Sequence, residues 1–569
     1  MRVVWIVAML FGVLTFLQGQ NTIIIKDSDL QGGQTYTWTN DYIYLLDGFV
    51  YLEAGGVLYI EPGTVIKGLE IPSSNDLASA LIITRGAQIY AEGTPNAPIV
   101  FTAELDDPND PDDLSPTDRG LWGGVIILGK GRITDQTPEK GIEGLPADEL
   151  RARYGGSDDS DNSGILRYVS IRHGGAELAP GNEINGLTLG AVGSGTTIEY
   201  VEVIANQDDG IELFGGTVNL KYAVVAFCGD DSFDYDTGWR GKGQFWLSLQ
   251  GFDAGDNGGE HDGAKPDDNE PTSNPIIFNA TYIGCGVGSP AKNEHALLMR
   301  DGTAGTYANS IFTDFANYAL QVEDRANGLD SYQRLELGQL QIRNNLWWQF
   351  GEGDQPNCGE NGIFNATDDA EDPNCQSLVD SFQVWQNLIT DPLLTSISRT
   401  TNGQFDPRAL PTGPAYSTPM ATYPADPFFT PVMFKGAFCS QGVWIQGWTA
   451  LAQYGLLDPN IPFNDTQSCE SVTATTEATP AQPYFVQLHN TPNPTNTHTT
   501  FHFTLPYLAR TTLKLYDAHG QCVQVILPTT QLKAGTYQFN SSISHLPAGT
   551  YFYTLEVNGH RYTRQLIKR

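Results

Sequence analysis

The sequence of 569 residues is short of charge, and shorter still of positive charge. Only 17% of it is Asp, Glu, Lys or Arg, against roughly 25% in an average globular protein. Thirty-one Lys and Arg stand against 66 Asp and Glu, a formal net charge of −35. A surface of that sign repels phosphates, which excludes a nucleic-acid partner. The Ala/Glu/Lys/Leu bias of a long helix or coiled coil is missing. Disorder driven by charge is excluded too, because 40% of the chain is hydrophobic and 11% aromatic, enough to build a large core. Beyond residue 17 no apolar run reaches the roughly 20 residues that span a bilayer, so no transmembrane segment is expected. No zinc-ligand spacing, phosphate-cradling glycine loop or nucleophile elbow occurs. Seven cysteines suit an oxidising compartment but do not make a disulfide scaffold. Cys358 with Cys375, and Cys439 with Cys469, are candidate bridges. Cys228 and Cys285 lie in strand-like runs and read as buried thiols, and Cys522 is left over.

Arg2, an apolar run from Val3 to Leu17, and small Gly19 read as a secretory signal peptide over 1–19. From about 40 to 325 the chain is a succession of short β runs, such as Val57-Leu-Tyr-Ile60 and Tyr168-Val-Ser-Ile171, broken by Gly, Asn and Asp. The best short helix candidates are 146–153 and 448–457. Two segments align at an offset of 22 residues. Tyr200 falls on Tyr222, Asp208-Asp209 on Asp230-Asp231, Glu212 on Asp234, and Gly216 on Gly238. A period of 20–25 residues suits stacked coils of a parallel β-helix, since one coil alone cannot bury its apolar face. A propeller blade needs about 40 residues per repeat.

The stretches Gly120-Leu-Trp-Gly-Gly-Val-Ile-Ile-Leu-Gly129, 155–169 and 182–201, the Asp-Asp-Gly and Gly-Asp-Asp segments and Gly447-Trp-Thr-Ala-Leu451 resemble a secreted β-helix family of Bacteroidetes-like bacteria. The resemblance covers roughly 40–457. It implies a right-handed parallel β-helix of pectin-lyase-like type and no particular activity.

Acidic clusters are the only chemical constellation in this body. Carboxylates stacked one strand spacing apart, about 4.8 Å, repel and need relief by a cation, by protonation or by solvent. Three readings follow. Asp208, Asp209, Asp230 and Asp231 look similar to the acidic motifs of polygalacturonase-type hydrolases, although Gly259-Glu-His-Asp-Gly263 lacks the expected Gly-His-Gly. An inverting hydrolase holds two carboxyl groups about 6.5–9.5 Å apart. Lyase chemistry would look to Arg240 and Lys242. Alternatively the clusters hold Ca²⁺, through Glu212, Asp234 and Asp236, or through Asp159, Asp161 and Ser163, which form half of a Ca²⁺ loop with Ser170 at the twelfth position. The third reading is solvated turn residues. Trp347-Trp348 and 444–448 are candidate sugar platforms but read more readily as core or lid, and His173 reads as a strand-end residue.

A Ser/Thr/Ala/Glu/Pro-rich linker over 467–483 precedes a change of sign. From Tyr484 there are seven Lys and Arg against two Asp and Glu, so the tail carries +5 and everything before it −40. Alternating runs separated by turn residues predict a small C-terminal antiparallel β-sandwich over 484–569. Its motifs are Asn493-Pro494, Leu515-Tyr516-Asp517 with Gly520, Leu546-Pro547-Ala548-Gly549-Thr550-Tyr551 and the basic end at Lys568-Arg569. They resemble the type A C-terminal sorting domain of the type IX secretion system. That resemblance implies export by the type IX machinery, removal of the tail, and release or attachment at the cell surface. The body, residues 20–466, is therefore expected to bind a surface ligand such as polysaccharide, with Ca²⁺ in support. A polysaccharide hydrolase or lyase and an adhesin-like structural role are the alternatives.

Overall fold

The computed structural model describes residues 21–465 and 488–569, apart from 135–136, 180–181, 326–328, 368–369, 506–508, 518–519, 534 and 558–559. The segment 1–19 and the linker at 467–483 lie outside the described residues. Short β runs stack in parallel into a β-helix, as the repeat predicts. One face is a ten-stranded parallel sheet among the described residues. It runs from Phe49–Leu52 through Ala80–Ile83, Val125–Leu128, Leu187–Gly190, Ile211–Phe214, Phe233–Asp236, Gly259–Asp262 and His295–Arg300 to Tyr318–Val322 and Phe364–Asn365. A larger sheet supplies the other two faces. Its longest strands, among them Gly164–Arg172, Thr197–Ile204, Asn219–Ala226, Lys242–Leu249 and Ile276–Ile283, each turn a corner midway.

Alternation decides what fills the coil. Ile211 and Leu213, Leu187 and Leu189, and Phe233 and Tyr235 point inward into one continuous core, each worth about 1.5–3 kcal/mol of burial. The residues between them face outward. On the early coils these are also apolar, Ile126 and Leu128, and the excursion over 129–156 covers them with Ile133, Ile142, Leu145 and Tyr154. On later coils they are acidic.

The midway corner is built from residues at positive φ in one column: Tyr168, Tyr200, Tyr222, Phe245, Asn279, Asn309 and Asn344. Left-handed backbone is costly for bulky side chains. Ring stacking offsets that cost, with centroids 4.4 Å apart for Tyr168–Tyr200 and 4.3 Å for Tyr200–Tyr222. Residues 391–465 fold back over this corner. Trp444 and Trp448 meet the tyrosine stack edge-on, while Asn279 and Asn309 donate to the carbonyls of Phe434 and Ala421. Buried Glu202 accepts from the first-turn amides of Ala450 and Leu451 at 2.7 and 3.2 Å, a cap for the helix Ala450–Gln453.

Helix is scarce, as expected, but placed differently. The candidate at 146–153 forms only a 3₁₀ turn, Leu150–Ala152. The helices Ser331–Glu336 and Gln376–Val384 carry too little apolar periodicity to show in the sequence. Cys358 and Cys375 form a disulfide. Cys228 and Cys285 are buried free thiols and Cys522 an exposed one. Cys439 is buried, and Cys469 lies outside the described residues.

The C-terminal region forms a three-stranded and a four-stranded antiparallel sheet over its own apolar core. Its two ends close on each other. Asn493 Nδ2 donates to the Gln565 carbonyl at 2.8 Å and its Oδ1 accepts from Ile567 N at 2.9 Å. Gly549 pairs with Lys568, Arg569 N donates to Thr495 O at 2.9 Å, Gly520 turns at positive φ, Tyr551 donates to the Pro547 carbonyl, and the Asn493–Pro494 bond is cis.

Candidate functional site

Three coils of the ten-stranded sheet place their outward carboxylates in register. Glu212, Asp234 and Glu260 follow one another across Ile211–Phe214, Phe233–Asp236 and Gly259–Asp262, after Thr188 on Leu187–Gly190. The turns that lead into these strands align as well. Asp231 N donates to Asp209 Oδ1 at 2.9 Å, and Asn257 N to Asp231 Oδ1 at 2.5 Å. Asp208, Asp230 and Asp256 stand one place earlier.

The result is a strip of carboxylates in four overlapping groups. They are Asp208/Asp209/Asp230, Asp209/Glu212/Asp234, Asp230/Asp231/Asp256 and Asp231/Asp234/Glu260. Within each group one oxygen per residue lies within 4.8 Å of the others. Burial, reinforced by the neighbouring Asp230, Glu143 and Glu183, pushes Asp208 up to about 7. Burial lifts Glu260 to about 7 in spite of Arg300. Asp209, Glu212, Asp231 and Asp234 are driven well above the usual carboxylate range by burial and by one another.

Positive charge reaches only the late-coil end. Lys292 pairs with Asp256 at 2.5 Å, and Arg300 with Glu260 and with Asp262, the latter at 2.8 Å. Burial pushes Asp262 up, but Arg300 and Lys265 hold it below the usual range. Among the described residues, no Lys or Arg pairs with Asp208, Asp209, Glu212, Asp230, Asp231 or Asp234. The donors are all hard oxygens. Asp234 Oδ1 and the Oδ1 atoms of buried Asn185 and Asn206 have no hydrogen-bond partner. That donor set fits Ca²⁺, which takes six to eight oxygens.

The structure thus brings Asp208, Asp209, Glu212, Asp230, Asp231 and Asp234 together, with Asp236 beside them but outside the four groups and hydrogen-bonded to Thr237 N. The proposed half-loop forms none of these groups. Asp159 is taken by Arg132 and by Arg240, the latter at 3.1 Å. Asp161 accepts from Ser163 Oγ at 3.3 Å and lies 3.9 Å from Lys130. Ser170 is buried on Glu202 within Gly164–Arg172, so the twelfth position of that loop does not exist as a ligand. Arg240 and Lys242 pair with Asp159 and Asp426 instead of the strip. Trp347, Trp444 and Trp448 are fully buried core residues, not sugar platforms. His173 is buried at a strand end, between the Asp118 carbonyl and Tyr454 Oη.

Asn185, Asp256 and Glu260 complete the strip and were not legible at the 22-residue offset. The coil after Asp231 is longer, so Asp230, Asp231 and Asp234 repeat as Asp256, Asn257 and Glu260 at an offset of 26. Allowing the period to stretch would have found them.

Two family models match the chain. That of the pectate-lyase-like beta-helix domain covers residues 31–363, and that of the secretion-system C-terminal sorting domain covers residues 491–569. No curated protein matches the chain. Among the described residues no helix is long and apolar enough to cross a membrane.

Proposed function

From a chain that belongs to the pectate-lyase-like beta-helix family, and whose sorting tail delivers it to the cell surface or the extracellular space, we propose a polysaccharide-binding protein whose carboxylate strip holds divalent cations, Ca²⁺ first. The observation that carries the reading is the set of four overlapping three-carboxylate groups, each within 4.8 Å. So dense a negative strip, raised in pKa and only neutralised at one end, favours a bound cation over bare repulsion. Asp209, Asp231 and Asp234 with Glu212 would supply oxygens, and Asn185 Oδ1 offers a neutral one. A bound cation would neutralise the strip and present a positive centre to the hydroxyls or carboxylates of a sugar chain.

The test is calorimetric titration of the secreted protein with Ca²⁺, followed by a polysaccharide panel with and without chelator. Expected are Ca²⁺ binding, a rise in Tm and Ca²⁺-dependent retention of at least one polysaccharide, all weakened in Asp209→Asn/Asp231→Asn. Absence of heat and of any Tm change would remove the metal from the proposal.

Hydrolysis is the second reading, favoured by one observation: the half-buried Asp208, raised to about 7, suits a general acid. Carboxylates within one group lie too close for the roughly 5–5.5 Å of retaining pairs or 6.5–9.5 Å of inverting ones, so an acid/base pair would draw on different groups, such as Asp208 with Asp234. Release of reducing ends from the same panel, abolished by Asp208→Asn, would establish it.

A further inference from the structure

The two ends of the β-helix are finished differently. At the late end the helix Gln376–Val384 closes the core: Leu378 and Phe382 enter it, and Phe382 packs on Trp347 and Phe364 of the last strands. At the first coil no helix covers the core among the described residues. Ile23 and Tyr36 face the core from Asn21–Ile25 and Thr35–Trp38 but are only partly buried. Ile24, on the outer side, is 54% exposed.

The faces of this first coil also differ in their backbone. Phe49–Leu52, which opens the ten-stranded sheet, has its outer amides taken by side chains. Phe49 N donates to Asp76 Oδ2 at 3.0 Å and Tyr51 N to Asp27 Oδ1 at 3.2 Å. Asn21–Ile25 has no such cover. It pairs in parallel with Tyr42–Leu46. Asp47 N donates to the Ile25 carbonyl at 2.9 Å, so alternation turns the N–H and C=O of Thr22 and Ile24 away from that strand. Among the described residues nothing meets them. The strand Asn-Thr-Ile-Ile-Ile is uncharged. The charges that follow it are already paired, Lys26 with Asp47 at 3.2 Å and Asp27 with Arg151 at 3.0 Å. A strand of β-branched residues with an open, neutral edge is a template for another strand.

We propose that this edge joins a second copy of the chain head to head, the two Asn21–Ile25 strands pairing antiparallel about a two-fold axis at Ile23. Charge selects the occupant. Copies of so acidic a body repel one another, and the neutral first coil is where they can approach. Register agrees. A two-fold axis at Ile23 sets Thr22 opposite Ile24 of the second copy, and both residues carry a free donor and acceptor, so each such pair exchanges two hydrogen bonds. The partly buried Ile23 side chains then meet at the axis. The closed late end limits the assembly. With Gln376–Val384 over the core there, head-to-tail stacking has no second open edge to use, and association stops at a closed dimer instead of a filament. The inference is independent of the carboxylate strip and of any ligand.

The experiment is analytical ultracentrifugation of the secreted protein over a concentration series, where a monomer–dimer equilibrium is expected. Ile24→Pro removes an outward N–H and leaves the bonds to Tyr42–Leu46 in place. It should weaken association about tenfold or more while the dilute monomer melts as wild type does. Ile23→Cys reads the register: on oxidation it should give a dimer whose disulfide maps, by peptide mass spectrometry, to the substituted position in both copies. That readout decides the matter if the proline variant does not fold. A monomer at every concentration, assembly beyond the dimer, a dimer indifferent to Ile24→Pro, or no cross-link through position 23 would overturn the proposal.

Discussion

Asp209 Oδ1 accepts the backbone amide of Asp231 at 2.9 Å, so the carboxylate of one coil holds the main chain of the next. Asp231 does the same for Asn257. Asp209 has one oxygen committed to the ladder and the other left for the strip, while Asp231 Oδ2 also accepts from Asn257 Nδ2 at 3.4 Å. The ladder fixes the register and thereby forces the carboxylates to stack. Structure and charge repulsion are coupled in the same side chains, and a cation relieves the second without disturbing the first.

The first prediction concerns pH. Carboxylates whose pKa is raised by folding contribute stability below their unfolded value, about 4, and lose it as pH rises through the folded value. For Asp208 and Glu260 that value is about 7. In chelator, Tm should therefore fall as pH rises from 5 to 8. The strip as a whole should account for about 2–4 kcal/mol of that loss. Added Ca²⁺ should flatten the profile. A Tm in chelator that climbs toward pH 8 would contradict the electrostatics of the strip.

A second prediction separates the ladder from the charge. In Asp231→Asn the Oδ1 atom still accepts from Asn257 N, while one buried negative charge disappears. In chelator at pH 8 the variant should be more stable than wild type by about 1 kcal/mol. In Ca²⁺ the order should reverse, because a ligand is gone. Thermal melts under the two conditions give the sign directly.

The strip was partly legible because the chain repeats strictly between Tyr200 and Gly238: equal coil lengths bring equal residue types into contact. Legibility ended where the coil after Asp231 lengthens by four residues, which hid Asp256 and Glu260. Asn185 was hidden because an amide looks like any turn residue. The half-loop at Asp159, Asp161 and Ser163 misled for the opposite reason. Its spacing is local, but the partners of Asp159, Arg132 and Arg240, come from 27 and 81 residues away. The burial of Trp444 and Trp448 is equally non-local, since it depends on 391–465 folding back over a corner laid down more than 200 residues earlier. By contrast, the sorting tail was readable because its turn residues and alternating strands show in the local sequence, although its sheets and its closing seam pair residues far apart in the chain.

That corner supplies a third prediction. Tyr200 is sandwiched between Tyr168 and Tyr222 and touched edge-on by Trp444 and Trp448. Tyr200→Ala should cost about 3 kcal/mol. Asn279→Ala, which removes the hydrogen bond to the Phe434 carbonyl and those accepted from Tyr423 Oη and Gln244 Nε2 and keeps the positive φ, should cost about 2–3 kcal/mol. Hydrogen exchange should show the loss first in amides of 443–457, where the overlying segment detaches. Uniform destabilisation of every coil would mean that the segment is not held by the stack.

The disulfide Cys358–Cys375 closes a separation of 17 residues. A loop of that size restricts the unfolded chain by about 3 kcal/mol. Cys358→Ser/Cys375→Ser should lower stability by up to that amount, with exchange increasing around Gln376–Val384, whose first residue follows Cys375. The β-helix upstream should keep its melting transition, because the bridge lies after the last long coil.

The sorting tail closes its two ends on each other through Asn493. That side chain donates to Gln565 and accepts from Ile567, joining residues 72 and 74 positions apart, while Thr495 N and Arg569 N complete the seam at 2.9 Å each. Deleting 491–569 should leave the protein in the periplasm. Asn493→Ala breaks both of these hydrogen bonds and a third to Asn490 Oδ1, for about 1–3 kcal/mol, and should lower the secreted fraction without abolishing it. Deleting Lys568 and Arg569 removes one end of the seam and should act in the same direction. Immunoblots of periplasmic and extracellular fractions measure all three, and normal export of the full deletion would show that sorting information lies elsewhere in the chain.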